Sequence, residues 1–196
     1  MKRKNLLLAT ACLSLVSLTS CGGKTKIGIL QPVEHSALSA ARLGFIEGLK
    51  EKGFEDGKNI TIYYQNANDE PANQTQYAKS LTAKCDITLG IGTGSSQALQ
   101  AAHVNSGSTK PILFTAVTDP VDAKRVASND APGGFITGTS DMNPVEAQID
   151  LIKTCLPDVD KIGIIYTQSE TNSKVQANLA KAEAEKYGIS VVIETL

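Results

Sequence analysis

The amino-acid sequence predicts an α/β fold of wound parallel sheets in two lobes, the second of them incomplete. Short apolar strand patterns alternate with amphipathic helix patterns from Lys26 onward, joined by short connections, as in a parallel sheet covered by helices. The rhythm breaks once, at the Gly- and Asp-rich passage Ser128–Gly134, and its restart marks the second lobe. After the restart only a crossover strand and two further strands remain, and nothing covers the last of them, so an apolar face would stay open.

Ile27–Leu30 reads as the first strand. A helix is expected from about Ser36 to Lys52, where Leu38, Ala41, Phe45 and Leu49 recur at helical spacing and Gly53 is placed to end it. Ile60–Tyr64 alternates as an edge or half-buried strand does, and a second helix runs from near Pro71 to Lys84. Ile87–Ile91 is the third strand. Its helix is expected to start at Ser95 or Ser96 and to fade at Asn105–Gly107, before a fourth strand at Pro111–Thr115. Beyond the break, Phe135–Gly138 forms the crossover strand. Asn143 before Pro144, with Glu146 three residues after the Asn, resembles a capping box, opening a helix that runs to about Leu156 with Pro157 as its stop. Lys161–Tyr166, Asn172–Tyr187 and Ile189–Ile193 follow as strand, helix and strand. The lobes divide as residues 26–134 and 135–196.

Ahead of the first strand, Lys2, Arg3 and Lys4 precede a largely apolar run from Leu6 to Val16, too short to span a bilayer, and then Leu18-Thr19-Ser20-Cys21. Residues 1–20 read as a signal peptide. A Cys directly after small residues at the cleavage point resembles the bacterial lipoprotein signal, in which that Cys is acylated and becomes the mature N-terminus. The alternative is a leader followed by a chance Cys. Acyl chains on Cys21 would hold the protein to the extracytoplasmic side of the cell membrane, with residues 21–25 as tether. The leader takes three of the 19 Lys and Arg and none of the 20 Asp and Glu, which leaves a formal charge of −4 on the remainder. Mild acidity without charge blocks gives no footprint for nucleic acid and no basic face for a membrane, so the lipid must supply the membrane contact. Of the four cysteines, Cys12 falls in the leader and Cys21 is the lipid site, leaving Cys85 and Cys155, which could pair and are expected as two buried thiols. With no CxxC and no nearby His cluster, no metal site is expected.

In open parallel sheets, ligands bind beyond the carboxyl ends of the strands. The loops there are polar: Gln31, Glu34 and His35 follow the first strand, Gly92 to Ser96 the third, Thr118 and Asp119 the fourth, Ser140 and Asp141 the crossover. In the Gly92 loop, glycines permit a tight turn while Thr93, Ser95 and Ser96 bring hydroxyls to a helix N-terminus, where free N–H groups and the helix dipole favour a carboxylate or phosphate. The loop lacks the Lys of a P-loop and the Gly spacing of a dinucleotide fingerprint, so an anion site and a plain helix cap both stay open. Glu34 beside His35 admits two readings: an acid–base pair, or an acid and a His that line a cleft or cap the first helix. No nucleophile sits in a GxSxG elbow, and His103, late on the third helix, is expected at the surface. Asp119 and Asp141 each precede a helix and admit a cap or a contact to a cation or ligand ammonium.

The run Gln31-Pro32-Val33-Glu34-His35-Ser36-Ala37-Leu38-Ser39-Ala40-Ala41-Arg42-Leu43-Gly44-Phe45 is similar to the opening of one lipoprotein family. These are the ABC-transporter substrate-binding proteins of type I periplasmic-binding fold, a group with tryptophan- and tyrosine-binding members. Gly90–Ala98, Thr115–Val121 and Gly138–Glu146 match the same family in the same order. The resemblance implies a small molecule, an amino acid and in some members an aromatic one, clasped between the lobes and handed to a permease and its ATPase. It implies no catalysis and no cofactor. It also implies a longer chain, with part of the cleft and at least one hinge crossing beyond Leu196, so that the 196 residues alone would aggregate or bind weakly. Carried over by position, Thr93, Gly94, Ser95, Ser96 and their N–H groups would hold a ligand carboxylate with Thr118 nearby, and Glu34, Asp119 or Asp141 would take an ammonium. Tyr166 and the loop with Glu170, Asn172 and Ser173 would close from the second lobe, Tyr166 either stacking on the ligand or simply packing. An exported enzyme using Glu34 and His35 as its acid–base pair, and a binding module for a membrane sensor, stand as the alternatives.

Overall fold

The structure, a computed structural model, describes residues 23–196. The expected signal peptide, Cys12 and the expected lipid site Cys21 lie outside the described residues.

The first sheet comprises β1 (Thr25–Gln31), β2 (Ile60–Asn66), β3 (Ile87–Ile91), β4 (Ile112–Val117) and β5 (Ile136–Ser140), all parallel, in the order β2-β1-β3-β4-β5. Three helices connect the first four strands: α1 (Ser36–Glu51), α2 (Pro71–Lys84) and α3 (Thr93–Ser106). One side of the sheet buries Leu30, Ile112 and Phe114 against Ala78 and Leu81 of α2 and Leu99 and Ala102 of α3. The opposite side packs Ile27, Ile29, Leu89 and Ile91 against Leu38, Phe45 and Leu49 of α1. The near-continuous apolar runs of β1 and β3 follow from being covered on both faces, whereas β2 stands at the edge and is half-buried beyond Ile60.

The crossover strand differs from the sequence reading. Grouped there with the second lobe, it is the fifth strand of the first sheet, because Ile136 and Thr137 pair with Ile112 and Leu113 of β4. The second unit is smaller: α4 (Val145–Cys155), β6 (Lys161–Tyr166), α5 (Thr171–Lys186) and β7 (Ser190–Thr195), with β6 and β7 parallel. Ile149 of α4 and Ala184 of α5 cover the face that carries Ile162 and Val191. On the other face Ile165 and Val192 are 69% and 47% exposed, the open apolar surface the sequence predicts.

Four local expectations are corrected. The helix expected at Ser95 or Ser96 begins at Thr93, because Gly92 at φ 82° turns the chain directly into it. The capping box at Asn143 does not form: Pro144 takes the N-cap place without helical angles, and the Asn143 amide instead donates to Gln176 of α5 at 2.6 Å. Cys85 is buried, but Cys155, at the end of α4, is exposed, and both thiols are free. His103 is fully buried rather than at the surface, because the face of α3 that carries it packs on α2 and Phe135.

Candidate ligand-binding cleft

The order β2-β1-β3-β4-β5 places a topological switch between β1 and β3, whose carboxyl-end loops run in opposite directions and leave a crevice. A cleft of about 320 Å³ lies there. It is within the size range of small-molecule sites.

One wall is built from β3 and α3. Gly90 lets the helix approach the strand, since a Cβ there would stand 2.7 Å from Ser96 Cα. The Gly92 amide donates to the Thr115 carbonyl at 2.9 Å, and Ser96 N to Gly92 O at 3.2 Å closes the first helical turn. The N–H groups of Thr93, Gly94 and Ser95 precede that first bond and have no partner within the helix. Thr93 and Gly94 line the cleft, joined by Thr118 from the end of β4. This wall offers hydrogen-bond donors at the positive end of a helix dipole.

The facing groups are acceptors. Asp69, Asp141 and Glu170 are the cleft's charged side chains, and none has a hydrogen-bond or ion-pair partner through its carboxylate among the described residues. Asn172 adds a side-chain oxygen that is sealed from solvent and unpartnered. Among the described residues no three His, Cys, Asp or Glu side chains stand together as metal ligands. Pro32, Val33, Leu38 and Ala116 supply an apolar floor.

Of the residues the sequence singles out, Thr93, Gly94, Thr118, Asp141, Glu170 and Asn172 come together here. The others are committed elsewhere. Ser96 is fully buried and its hydroxyl donates back to Gly92 O at 2.8 Å, fixing the turn. Ser95 is also buried, its oxygen accepting from Gln74 Nε2 at 3.2 Å, so only its backbone N–H is left to a ligand. Asp119 accepts from the amides of Val121 and Asp122, both at 3.0 Å, which makes it the cap of the turn after β4. Ser140 borders a separate hollow with Pro120 and Val126. Tyr166 and Ser173 line a groove along β6 with Gln176 and Ile149, away from the cleft.

Gln31, Glu34 and His35 form a scaffold behind the floor instead of a contact surface. Gln31 is fully buried: its Nε2 donates to the Val33 carbonyl at 2.9 Å and to Ser39 Oγ at 3.2 Å, and its Oε1 accepts from Arg42 Nε at 3.1 Å. Glu34 accepts from Ser39 Oγ and from the Tyr64 hydroxyl, each at 2.6 Å. Those bonds, the Ser39 one foremost, hold its carboxyl below the usual range, while burial and then the Glu34 bond push the Tyr64 phenol up to about 12. The Arg42 guanidinium lies 4.3 Å from the Tyr64 ring centre and 4.0 Å from Glu34. His35 is the N-cap of α1, its Nδ1 accepting from Ala37 N at 3.3 Å. An acid–base pair is therefore not assembled: both Glu34 oxygens and the His35 cap nitrogen are engaged in holding the β1–α1 loop.

The residues missed by sequence reasoning are Asp69, Gln74 and the apolar floor. The signal for Asp69 is present in Asn66-Ala67-Asn68-Asp69-Glu70, the polar loop after β2, the strand whose carboxyl-end loop the sequence reading passes over.

A family model described as ABC transporter substrate binding protein matches residues 26–196. The tyrosine-binding protein of Clostridioides difficile (strain R20291) is 44% identical over 167 residues, covering 85% of this chain and 47% of the relative. The chain thus spans about half the length of the curated relative it matches. A solved conserved domain protein from Vibrio cholerae is similar at 43% identity and a TM-score of 0.82, over 88% of this chain and 57% of that one. A solved ABC domain from Streptococcus pneumoniae, in complex with L-Trp, is similar at 36% identity and a TM-score of 0.81, over 89% and 58% of the two chains.

Proposed function

The chain belongs to the ABC transporter substrate-binding proteins, with a type I periplasmic-binding fold, and we propose that it captures an aromatic amino acid in the cleft for an importer. The observation that carries this reading is the polarity of the cleft. Uncommitted N–H groups at the start of α3 stand on one wall, and every charged side chain lining the cleft is a carboxylate. A zwitterion complements both, its carboxylate on the helix N-terminus and its ammonium among the acids. The apolar floor of Pro32, Val33, Leu38 and Ala116 suits the side chain, and the relatives' ligands, tyrosine by name in one and L-Trp in the other, favour an aromatic one. In this reading Cys21 carries the lipid that keeps the protein on the extracytoplasmic side of the membrane, beside a permease and its ATPase.

Isothermal titration of the full-length mature protein with L-tyrosine and L-tryptophan is the test. Saturable binding at micromolar or lower concentration of one of them is expected. Binding of neither, together with clear binding of a sugar or nucleoside, would overturn the ligand class.

A further inference from the structure

Resting on the amino-acid reading, we infer that Asp69 is a ligand contact, the carboxylate that pairs with the ammonium of the bound amino acid. Asp69 lines the cleft from the loop between β2 and α2. Its backbone is unusual: Asn68 and Asp69 are consecutive non-glycine residues in the left-handed region, at φ 53° and 62°. Such conformations persist only where the surroundings impose them, and they concentrate at binding sites. Here the restraints are visible. The Ala67 amide donates to the Gln31 carbonyl at 2.9 Å, the Asp69 amide to the Pro32 carbonyl at 2.8 Å, and the Asn68 amide to Asn66 Oδ1 at 2.9 Å. The first two tie this corner to the buried Gln31 scaffold, so the loop that presents Asp69 and the loop that forms the floor are one rigid unit.

The ordinary duties of such an aspartate are left undone. Glu70, not Asp69, occupies the N-cap place of α2, and that cap carries no side-chain hydrogen bond. No Lys, Arg or His pairs with Asp69 among the described residues, in contrast to Glu34, which has Ser39, Tyr64 and Arg42 around it. A carboxylate delivered to a cleft by a strained turn, and used for neither cap nor ion pair, is available to a cationic ligand group.

Asp69→Asn removes the charge and keeps a residue that tolerates the left-handed conformation. Titrations would compare wild type and variant against L-tyrosine and L-tryptophan and against their des-amino analogues, 3-(4-hydroxyphenyl)propionate and indole-3-propionate, with competition for weak binders. Asp69→Asn is expected to weaken the amino acid by about tenfold or more, as loss of a charged hydrogen bond does, and to leave the analogue within about twofold. Asp69→Gly, which relaxes the turn, is expected to raise the melting temperature while losing affinity to the same extent, an outcome a purely structural aspartate would not give. Equal losses for amino acid and analogue, or no loss for either, would overturn the role of Asp69 while leaving the ligand class standing. If wild type binds neither amino acid, the reading of the site falls and this assignment falls with it.

Discussion

His103 sits inside the first lobe with Nδ1 2.9 Å from the Leu99 carbonyl and 3.1 Å from Thr82 Oγ1, and with Nε2 lacking any partner. A carbonyl accepts only, so Nδ1 carries the proton and the ring is held neutral, with a bare lone pair at Nε2. Protonation would place an N–H there with no acceptor. Burial is the main cause that lowers the pKa below 6.5; the nearby Lys110 ammonium lowers it further, and the Leu99 bond opposes them. The folded state thus binds the proton less readily than the unfolded chain, whose His titrates near 6.5. The stability it protects is present above that pH and is lost as pH falls below it. Melting temperatures measured from neutral pH downward are expected to decline below about pH 6.5, and His103→Leu to flatten that part of the decline. An unaltered slope in the variant would assign acid sensitivity to other groups. Position late in a helix says nothing of this: the sequence suggests a surface His because its partners, Thr82 and Phe135, lie far away in the chain.

At the level of elements, the donor wall depends on how closely α3 approaches β3. Gly90 is the point of contact, since an added Cβ would meet Ser96 Cα at 2.7 Å and Ser96 N at 2.8 Å, both backbone atoms that cannot swing aside. Gly90→Ala is expected to destabilise the fold by about 1–3 kcal/mol, the usual range for overpacking, read as a lower denaturation midpoint at unchanged slope. Gly44 in α1 is the control: nothing lies within 4 Å of its would-be Cβ. Gly44→Ala should therefore be neutral or stabilising by about 0.5–1 kcal/mol, as Ala replaces Gly within a helix. Equal losses at both positions would show that close approach is not what Gly90 provides. The same contrast marks what was legible in the sequence. Alternating patterns are local, so β1 to β4, α1 and α2 could be read directly, and the rule for strand ends led to Thr93, Thr118 and Asp141. What a hydroxyl or carboxyl bonds to is decided between elements. Ser95 meets Gln74 twenty-one residues back and Glu34 meets Tyr64 thirty residues on, and no spacing in the sequence records either.

For the whole molecule, a parallel sheet has two unlike ends, and the proposed point of attachment and the cleft fall on opposite ones. The chain enters β1 at Thr25, on the amino side, and reaches the cleft after Gln31, on the carboxyl side. Seven residues of strand at about 3.3 Å each put roughly 23 Å between them. A lipid on Cys21 would thus hold the molecule by the end of the sheet opposite the cleft, with residues 22–24 between it and β1. Anchoring and binding should then be separable. Cys21→Ala is expected to move the protein from the membrane fraction to the soluble fraction, since acyl chains are the proposed means of attachment and the sequence offers no basic face to replace them. Its affinity for L-tyrosine or L-tryptophan should remain at the wild-type value, because no residue near the tether lines the cleft. Retention of the variant on membranes would refute the lipid anchor. A soluble variant with weakened binding would show that the two ends of β1 are coupled, and would move the tether from a passive hold to a part of the binding device.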